Sequence, residues 1–271
     1  MKRVLLALSG GVDSSVSAEL LKRMGYDVGA AVMIMSELHG DTVTAAEDAS
    51  KRLGIPLYTL DLRSEFKYEI IDYFAKEYLR GRTPNPCVRC NPRVKFKYLL
   101  KTALEGGYDF ISTGHYANIE EKNGVHLVTR AASSQRDQSY MLAGLRQDVL
   151  SRLICPLGSM EKSEVRNIAS SLGLKCHDAP DSVENCFIPG NNYASYIEEY
   201  GISEPGNFVI DETVCGRHRG ILHYTIGQRK GLGIALGRPA YVSRIDPIKN
   251  EVRLSYEKAM TDRIYIDGIS Q

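Results

Sequence analysis

Short aliphatic runs alternate with stretches of helical period through the first half of the chain. Val4–Leu8, Val28–Ile34, Leu57–Leu60 and Phe110–Thr113 are bounded by Gly, Pro or charged residues and predict short buried strands. Between them, Val16, Leu20 and Met24 recur on one helical face that Gly25 closes. Ala45, Ala46, Ala49 and Leu53 do the same and stop at Gly54. Strands alternating with helices predict an α/β fold: a parallel sheet with helices on both faces. Ligands of such sheets bind at the carboxyl ends of the strands. Asn123-Gly124, between Ala117–Ile119 and Val125–Thr129, predicts a hairpin. Val165, Ile168, Ala169 and Leu172 mark another helix, ended by Gly173. Past Tyr200 glycine becomes frequent, and Leu222–Ile226, Tyr241–Ile245 and Val252–Leu254 read as short strands. The expected organisation is a first domain over 1–202 and a small β-rich C-terminal domain over 203–271, joined through Ser203-Glu204-Pro205-Gly206.

Composition narrows the class without naming it. The 271 residues are 43% apolar and 25% charged, ordinary globular values that exclude a disordered tail, a collagen-like repeat or a disulfide scaffold. Val4–Leu8 is too short to span a membrane and no leader is readable, so the expected setting is cytoplasmic, with no membrane. Six cysteines are too few for a disulfide framework, and in a reducing compartment they point to chemistry or metals.

Ser9-Gly10-Gly11-Val12-Asp13-Ser14-Ser15 follows the first strand and opens the first helix. Two glycines let backbone approach a phosphate, the helix terminus supplies N–H groups, and the serines add hydroxyls. Asp13 could orient Mg2+ on the phosphates. The string is neither Gly-x-x-x-x-Gly-Lys-Ser/Thr nor Gly-x-Gly-x-x-Gly. The plainer alternative is a turn that only caps a helix, but strand, loop and helix in sequence favour a nucleotide site. Cys87 and Cys90 form a Cys-x-x-Cys within Thr83–Pro92, where three prolines predict an exposed loop and not a continuous helix. Such a pair serves redox chemistry or half a metal site, or arises by coincidence. Cys155, Cys176 and Cys215 read as small buried residues.

The loop resembles the signature of the PP-loop pyrophosphatases, which cleave ATP between the α and β phosphates and adenylate a substrate. Further strings follow it along the chain: Gly81–Pro86, Lys95-Phe96-Lys97, Thr113-Gly114-His115-Tyr116-Ala117, Asp137-Gln138-Ser139-Tyr140, Cys186-Phe187-Ile188 and Tyr224–Gly233. In that order they resemble the tRNA-specific 2-thiouridylase family, over nearly the whole chain. The resemblance implies ATP-dependent sulfur transfer to C2 of the wobble uridine of tRNA through an adenylated base. It implies that Ala7, Leu8, Ser9, Gly10, Gly11, Val12, Asp13, Ser14, Met33 and Gly114 hold ATP, with Met33 where the adenine lies. Cys90 would be the nucleophile and Cys186 the carrier of persulfide sulfur. Asn85, Pro86 and Cys87 would meet the base, a loop nucleotide turned out of its stack. His115, Arg136, Asp137 and Gln138 would touch tRNA. Arg89 and Arg93 are cations able to favour a thiolate.

The sequence departs from the family pattern in three ways. Cys87 replaces the acidic residue of Asn-Pro-Asp-x-x-Cys, so Cys87, Cys90 and Cys186 could ligate a [4Fe–4S] cluster whose open iron takes sulfide, as in iron–sulfur-dependent thiolation enzymes of the superfamily. That expectation is preferred here to a persulfide relay with a Cys90–Cys186 disulfide as product. The family's further C-terminal β-barrel is expected to be absent, and Arg136 replaces a lysine. The sulfur donor, sulfide or a persulfide carrier, is unidentified. The alternative activity is ATP-dependent sulfur transfer to a small molecule or cofactor precursor.

Charge, last, supports RNA. The 34 Lys+Arg and 33 Asp+Glu balance to +1, a value that by itself argues against a nucleic-acid partner. Yet Tyr78–Leu104 holds seven basic and no acidic residues, and Thr213–Ile245 six and none. The rest of the chain is acidic, and local basic surface attracts phosphate whatever the total.

Overall fold

The computed structural model describes residues 1–174, 185–188, 190 and 193–258. They form two compact units, 1–69 with 87–174, and 70–86 with 185–258.

The first unit is built on a five-stranded parallel sheet. Its strands are β1 (Arg3–Ala7), β2 (Asp27–Ile34), β3 (Leu57–Asp61), β4 (Phe110–Ser112) and β7 (Leu153–Ile154), in the order β3-β2-β1-β4-β7. The expected α/β class is thus present. Helix α1 (Val12–Arg23) links β1 to β2, and α2 (Gly40–Leu53) links β2 to β3. Val4, Leu6 and Leu8 pack with Ala18, Leu21, Ala46 and Ala49 in one core. Gly54 stops α2 with φ +64, the left-handed cap that the sequence suggested. Met24 departs from expectation: it caps α1, 56% exposed, because the buried stripe ends one turn earlier at Leu21. Strand β3 is half-exposed, not buried, because it lies at the sheet edge.

The sheet order reverses between β1 and β4, which places a crevice at their carboxyl ends. After β3 come α3 (Arg63–Phe66), a π-turn (Lys67–Ile71) and α4 (Asp72–Leu79). The proline-rich segment is helical: α5 (Pro86–Cys90) runs through a π-turn (Asn91–Lys95) into α6 (Phe96–Glu105). This corrects the expected exposed loop. Pro86 occupies the first helical position, where no N–H is needed, and the wide π-turn accommodates Pro92. Strands β5 (Asn118–Lys122) and β6 (Val125–Thr129) form the anticipated hairpin, with Asn123 and Gly124 both at positive φ. A short α7 (Gln147–Leu150) precedes β7, and α8 (Lys162–Ser171) packs Val165 and Ala169 against Val12 and Val16.

In the second unit, α9 (Tyr193–Glu198) precedes a sheet of β8 (Gly206–Ile210), β9 (Thr213–His218), β10 (Tyr241–Asp246) and β11 (Glu251–Ser255). The order is β10-β11-β8-β9, with antiparallel pairs at both edges and a parallel pair inside. Leu222–Ile226 is not a strand: a 3-10 turn (Ile221–His223) buries Leu222 and places Tyr224 beside Phe208, with ring centroids 5.1 Å apart. Its apolar side chains anchor a turn to the sheet instead of joining a ladder.

Candidate active site

The loop between β1 and α1 is shaped for close backbone approach. Gly10 has φ +74, and a Cβ there would run into the backbone and side chain of Ala45. Ser14 Oγ accepts from Ser9 N at 3.2 Å, lies 3.1 Å from Ser9 Oγ and donates to Gly11 O at 3.2 Å. The turn is therefore fixed by its own serines. Gly114, just after β4, packs against the start of α1: a Cβ there would lie 2.9 Å from Ser14 N. Ser15 Oγ is buried with no hydrogen-bond partner among the described residues. A glycine cradle and the N-terminus of a 12-residue helix suit a nucleotide phosphate. Met33 is buried near the end of β2, in register with Leu60 of β3, so it stands at the same edge of the sheet.

Asp13 is engaged within the chain. Lys162 Nζ donates to its two carboxylate oxygens at 2.7 and 2.8 Å, and Tyr116 Oη donates to Oδ1 at 2.8 Å. The string expected to hold Mg2+ thus already carries a cation on its carboxylate. Lys162 carries no local signal of this pairing, since 149 positions separate the two residues.

Two histidines at the strand ends are held neutral. His115 Nδ1 lies 2.7 Å from Thr113 Oγ1, and its ring packs on Phe96. Burial, with Lys95 adding repulsion, pushes its pKa down to about 3. His39 pairs with Ser36 Oγ at 2.9 Å; burial lowers its pKa and Lys95 adds to this, against the Ser36 hydrogen bond. Lys95 is the cation that both rings feel. His115 is therefore an uncharged polar ring at neutral pH.

On α5, Cys87 is half-buried and Cys90 is buried at 4% exposure, while Cys186 in the second unit is exposed. Cys87 and Cys90 are three apart, a spacing that shares one helical face. Arg89 and Arg93, expected to support a thiolate, both bind Glu69: Arg89 through the backbone carbonyl at 2.8 Å and the carboxylate at 3.2 Å, Arg93 at 3.4 Å. Glu69 lies in the other π-turn and had no signal in the sequence. Among the described residues no three of His, Cys, Asp or Glu gather as a metal site. Cys87 and Cys90 belong to the first unit and Cys186 to the second. Burial pushes the Cys155 thiol up to about 12 and raises that of Cys215, although both residues are half-buried, not buried as expected. Cys176 lies outside the described residues.

Among the residues expected at tRNA, Asp137 and Gln138 organise their own loop. Asp137 accepts from Ala131 N at 3.0 Å and Ser139 Oγ at 2.9 Å, and Gln138 Oε1 accepts from Tyr116 N at 3.0 Å. Arg136 N donates to Ser133 O at 3.1 Å. In the second unit, Asn85 is exposed and Pro86 buried, while Arg80 and Arg82 both pair with Glu77. Arg217, Arg219, Arg229, Lys230, Arg238 and Arg244 are all exposed. The first basic stretch is thus partly neutralised within the chain, whereas the second stands open to solvent.

Fold and loop together define an α/β enzyme of the PP-loop type, built to bind a nucleotide phosphate at the crevice beside β1. Residues 2–190 match the family described as tRNA methyl transferase HUP domain, and residues 194–256 the tRNA methyl transferase PRC-barrel domain. A tRNA-specific 2-thiouridylase MnmA of Lachnoclostridium phytofermentans is 48% identical over 288 residues, covering 100% of this chain and 81% of the relative. A tRNA-specific 2-thiouridylase MnmA 2 of Clostridium botulinum (strain Langeland) is 48% identical over 94% of this chain and 75% of its own length. A tRNA-specific 2-thiouridylase MnmA 1 of Clostridium tetani is 46% identical over 98% and 76%. The chain belongs to the tRNA-specific 2-thiouridylase family.

Proposed function

We propose that this protein transfers sulfur to C2 of the wobble uridine of tRNA, consuming ATP to activate the base. The carrying observation is the likeness to curated 2-thiouridylases along the whole chain, with the phosphate cradle supporting the ATP half of the reaction. ATP is a substrate: its phosphates rest on the Gly10–Ser15 turn, Mg2+ offsets their charge, and adenylation of the C2 oxygen releases pyrophosphate. The poor oxygen leaving group then departs as AMP. Methyl transfer, named in the family description, calls for none of these cysteines; sulfur transfer does.

The two thiols divide the sulfur chemistry by exposure. Cys186, exposed, takes persulfide sulfur from a donor protein or from sulfide already oxidised to that level. Its terminal sulfur attacks C2 and expels AMP. The Cys90 thiolate then attacks the Cys186 sulfur, releasing 2-thiouridine and leaving a Cys90–Cys186 disulfide that an external thiol reduces. Asn85, Pro86 and Cys87 lie in the segment assigned to the base, and Arg136 and the exposed arginines of 217–244 to tRNA phosphates. Cysteines kept as thiols fit a cytoplasmic setting, and among the described residues no helix is long and apolar enough to cross a membrane.

Product analysis tests the reading. In the presence of tRNA, ATP consumption should yield AMP and pyrophosphate; ADP and phosphate would contradict it. Anaerobic reconstitution with Mössbauer spectroscopy tests the sulfur route. Activity without stoichiometric iron, retained in Cys87→Ser, is expected, and iron-dependent activity lost in that variant would instead establish the cluster.

A further inference from the structure

The Asp13–Lys162 pair raises a problem of charge. Asp13 lies in the first turn of α1, where a carboxylate favours the helix but has the same sign as the polyphosphate that the cradle is shaped to hold. Lys162 meets both carboxylate oxygens, with side-chain exposures of 12% for Lys162 and 34% for Asp13. Tyr116 adds its hydroxyl to Oδ1, and Lys162 Nζ lies 5.7 Å from the centre of the Tyr116 ring. Lys162 is itself the first residue of α8, at the positive end of that helix, where a cation is disfavoured. Its place is made tolerable by Glu161 and Glu164, whose carboxylates form a capping box at the same terminus. A lysine held against its own helix dipole and aimed at a carboxylate beside the phosphate cradle needs a reason.

We propose that Lys162, with Tyr116, neutralises Asp13 so that the N-terminus of α1 accepts the phosphates of ATP. Lys162 is a positioning residue: it acts on the phosphates through Asp13. The proposal rests on the ATP site described under Proposed function. It differs from direct phosphate binding by Lys162, because removing the Asp13 charge must then make Lys162 dispensable.

The test is calorimetric titration of the full chain with ATP in EDTA, which removes Mg2+ from the comparison. Lys162→Met should weaken binding about tenfold, because an uncompensated carboxylate then faces the phosphates. Lys162→Arg should bind close to wild type. The double variant Asp13→Asn/Lys162→Met should recover most of the loss, since the charge that needed a partner is gone. Equal binding by wild type and Lys162→Met would overturn the proposal. So would a double variant as weak as the single one, which would make Lys162 a phosphate ligand or a structural post. Wild-type protein that binds no ATP would overturn the nucleotide site itself, and this inference with it. If thermal unfolding shows Lys162→Met to be misfolded, Lys162→Gln with Asp13→Asn/Lys162→Gln makes the same comparison.

Discussion

A nucleophilic thiol has to be reachable as a thiolate, and the cysteines of this chain differ in that respect. Burial raises the thiols of Cys155 and Cys215, and neither stands in a segment assigned to the chemistry, so Cys155→Ser and Cys215→Ser should keep sulfur transfer within about twofold of wild type. Cys90→Ser and Cys186→Ser should abolish transfer yet still bind ATP, a split that paired activity and binding assays would reveal. Loss of ATP binding in either would contradict the division of labour. Gly10 is the backbone counterpart. Gly10→Ala meets a left-handed penalty of about 1–2 kcal/mol and a clash with Ala45, and it should lower both the urea midpoint and ATP affinity. His115 makes stability depend on pH. The unfolded histidine takes a proton below about 6.5, whereas the folded one stays neutral down to about 3. Between those values the unfolded state binds more protons, so stability falls as pH drops below about 6.5. His115→Asn should flatten that fall by up to about one proton in urea titrations across the range. An unchanged slope would show that the ring is not held neutral.

At the scale of elements, local pattern carried the sheet but not its surroundings. The aliphatic runs at Val4–Leu8 and Val28–Ile34, the hairpin at Asn123-Gly124 and the glycine stops at Gly54 and Gly173 were legible, because each is written in consecutive residues. The helical course of 86–105 was not, because Pro92 reads locally as a breaker and only a π-turn lets the helix pass it. Leu222–Ile226 misled for the opposite reason: its apolar residues pack a turn onto Phe208 and form no ladder. The site was legible to the same degree. Gly10, Gly114 and the serines announce themselves in motifs, whereas Lys162 on Asp13 and Glu69 on Arg89 and Arg93 are tertiary pairings without local signal. Both π-turns meet through Glu69, a geometry that recurs at functional sites. Glu69→Gln should therefore lower the thermal midpoint by a few degrees, with about 1 kcal/mol lost for a part-buried pair. No change in midpoint would mean that the two turns hold each other by packing alone.

For the whole molecule, near-neutral charge conceals where RNA can be held. The arginines of 80–93 are partly spent on Glu69 and Glu77, so on the proposed reading the exposed basic residues of 217–244 are the ones expected to carry the larger share of phosphate attraction. Affinity for tRNA should fall steeply with added salt, and Arg229→Ala/Lys230→Ala should reduce the slope of log affinity against log salt by about two. A flat dependence would count against RNA as the partner. The central claim, sulfur transfer to the wobble uridine, is tested most directly by nucleoside mass spectrometry of tRNA lacking the 2-thio group. The tRNA is incubated anaerobically with the protein, ATP and either sulfide or a persulfide donor. The account predicts 2-thiouridine at the wobble position, formed only when ATP is present. Unmodified uridine with both donors would contradict it.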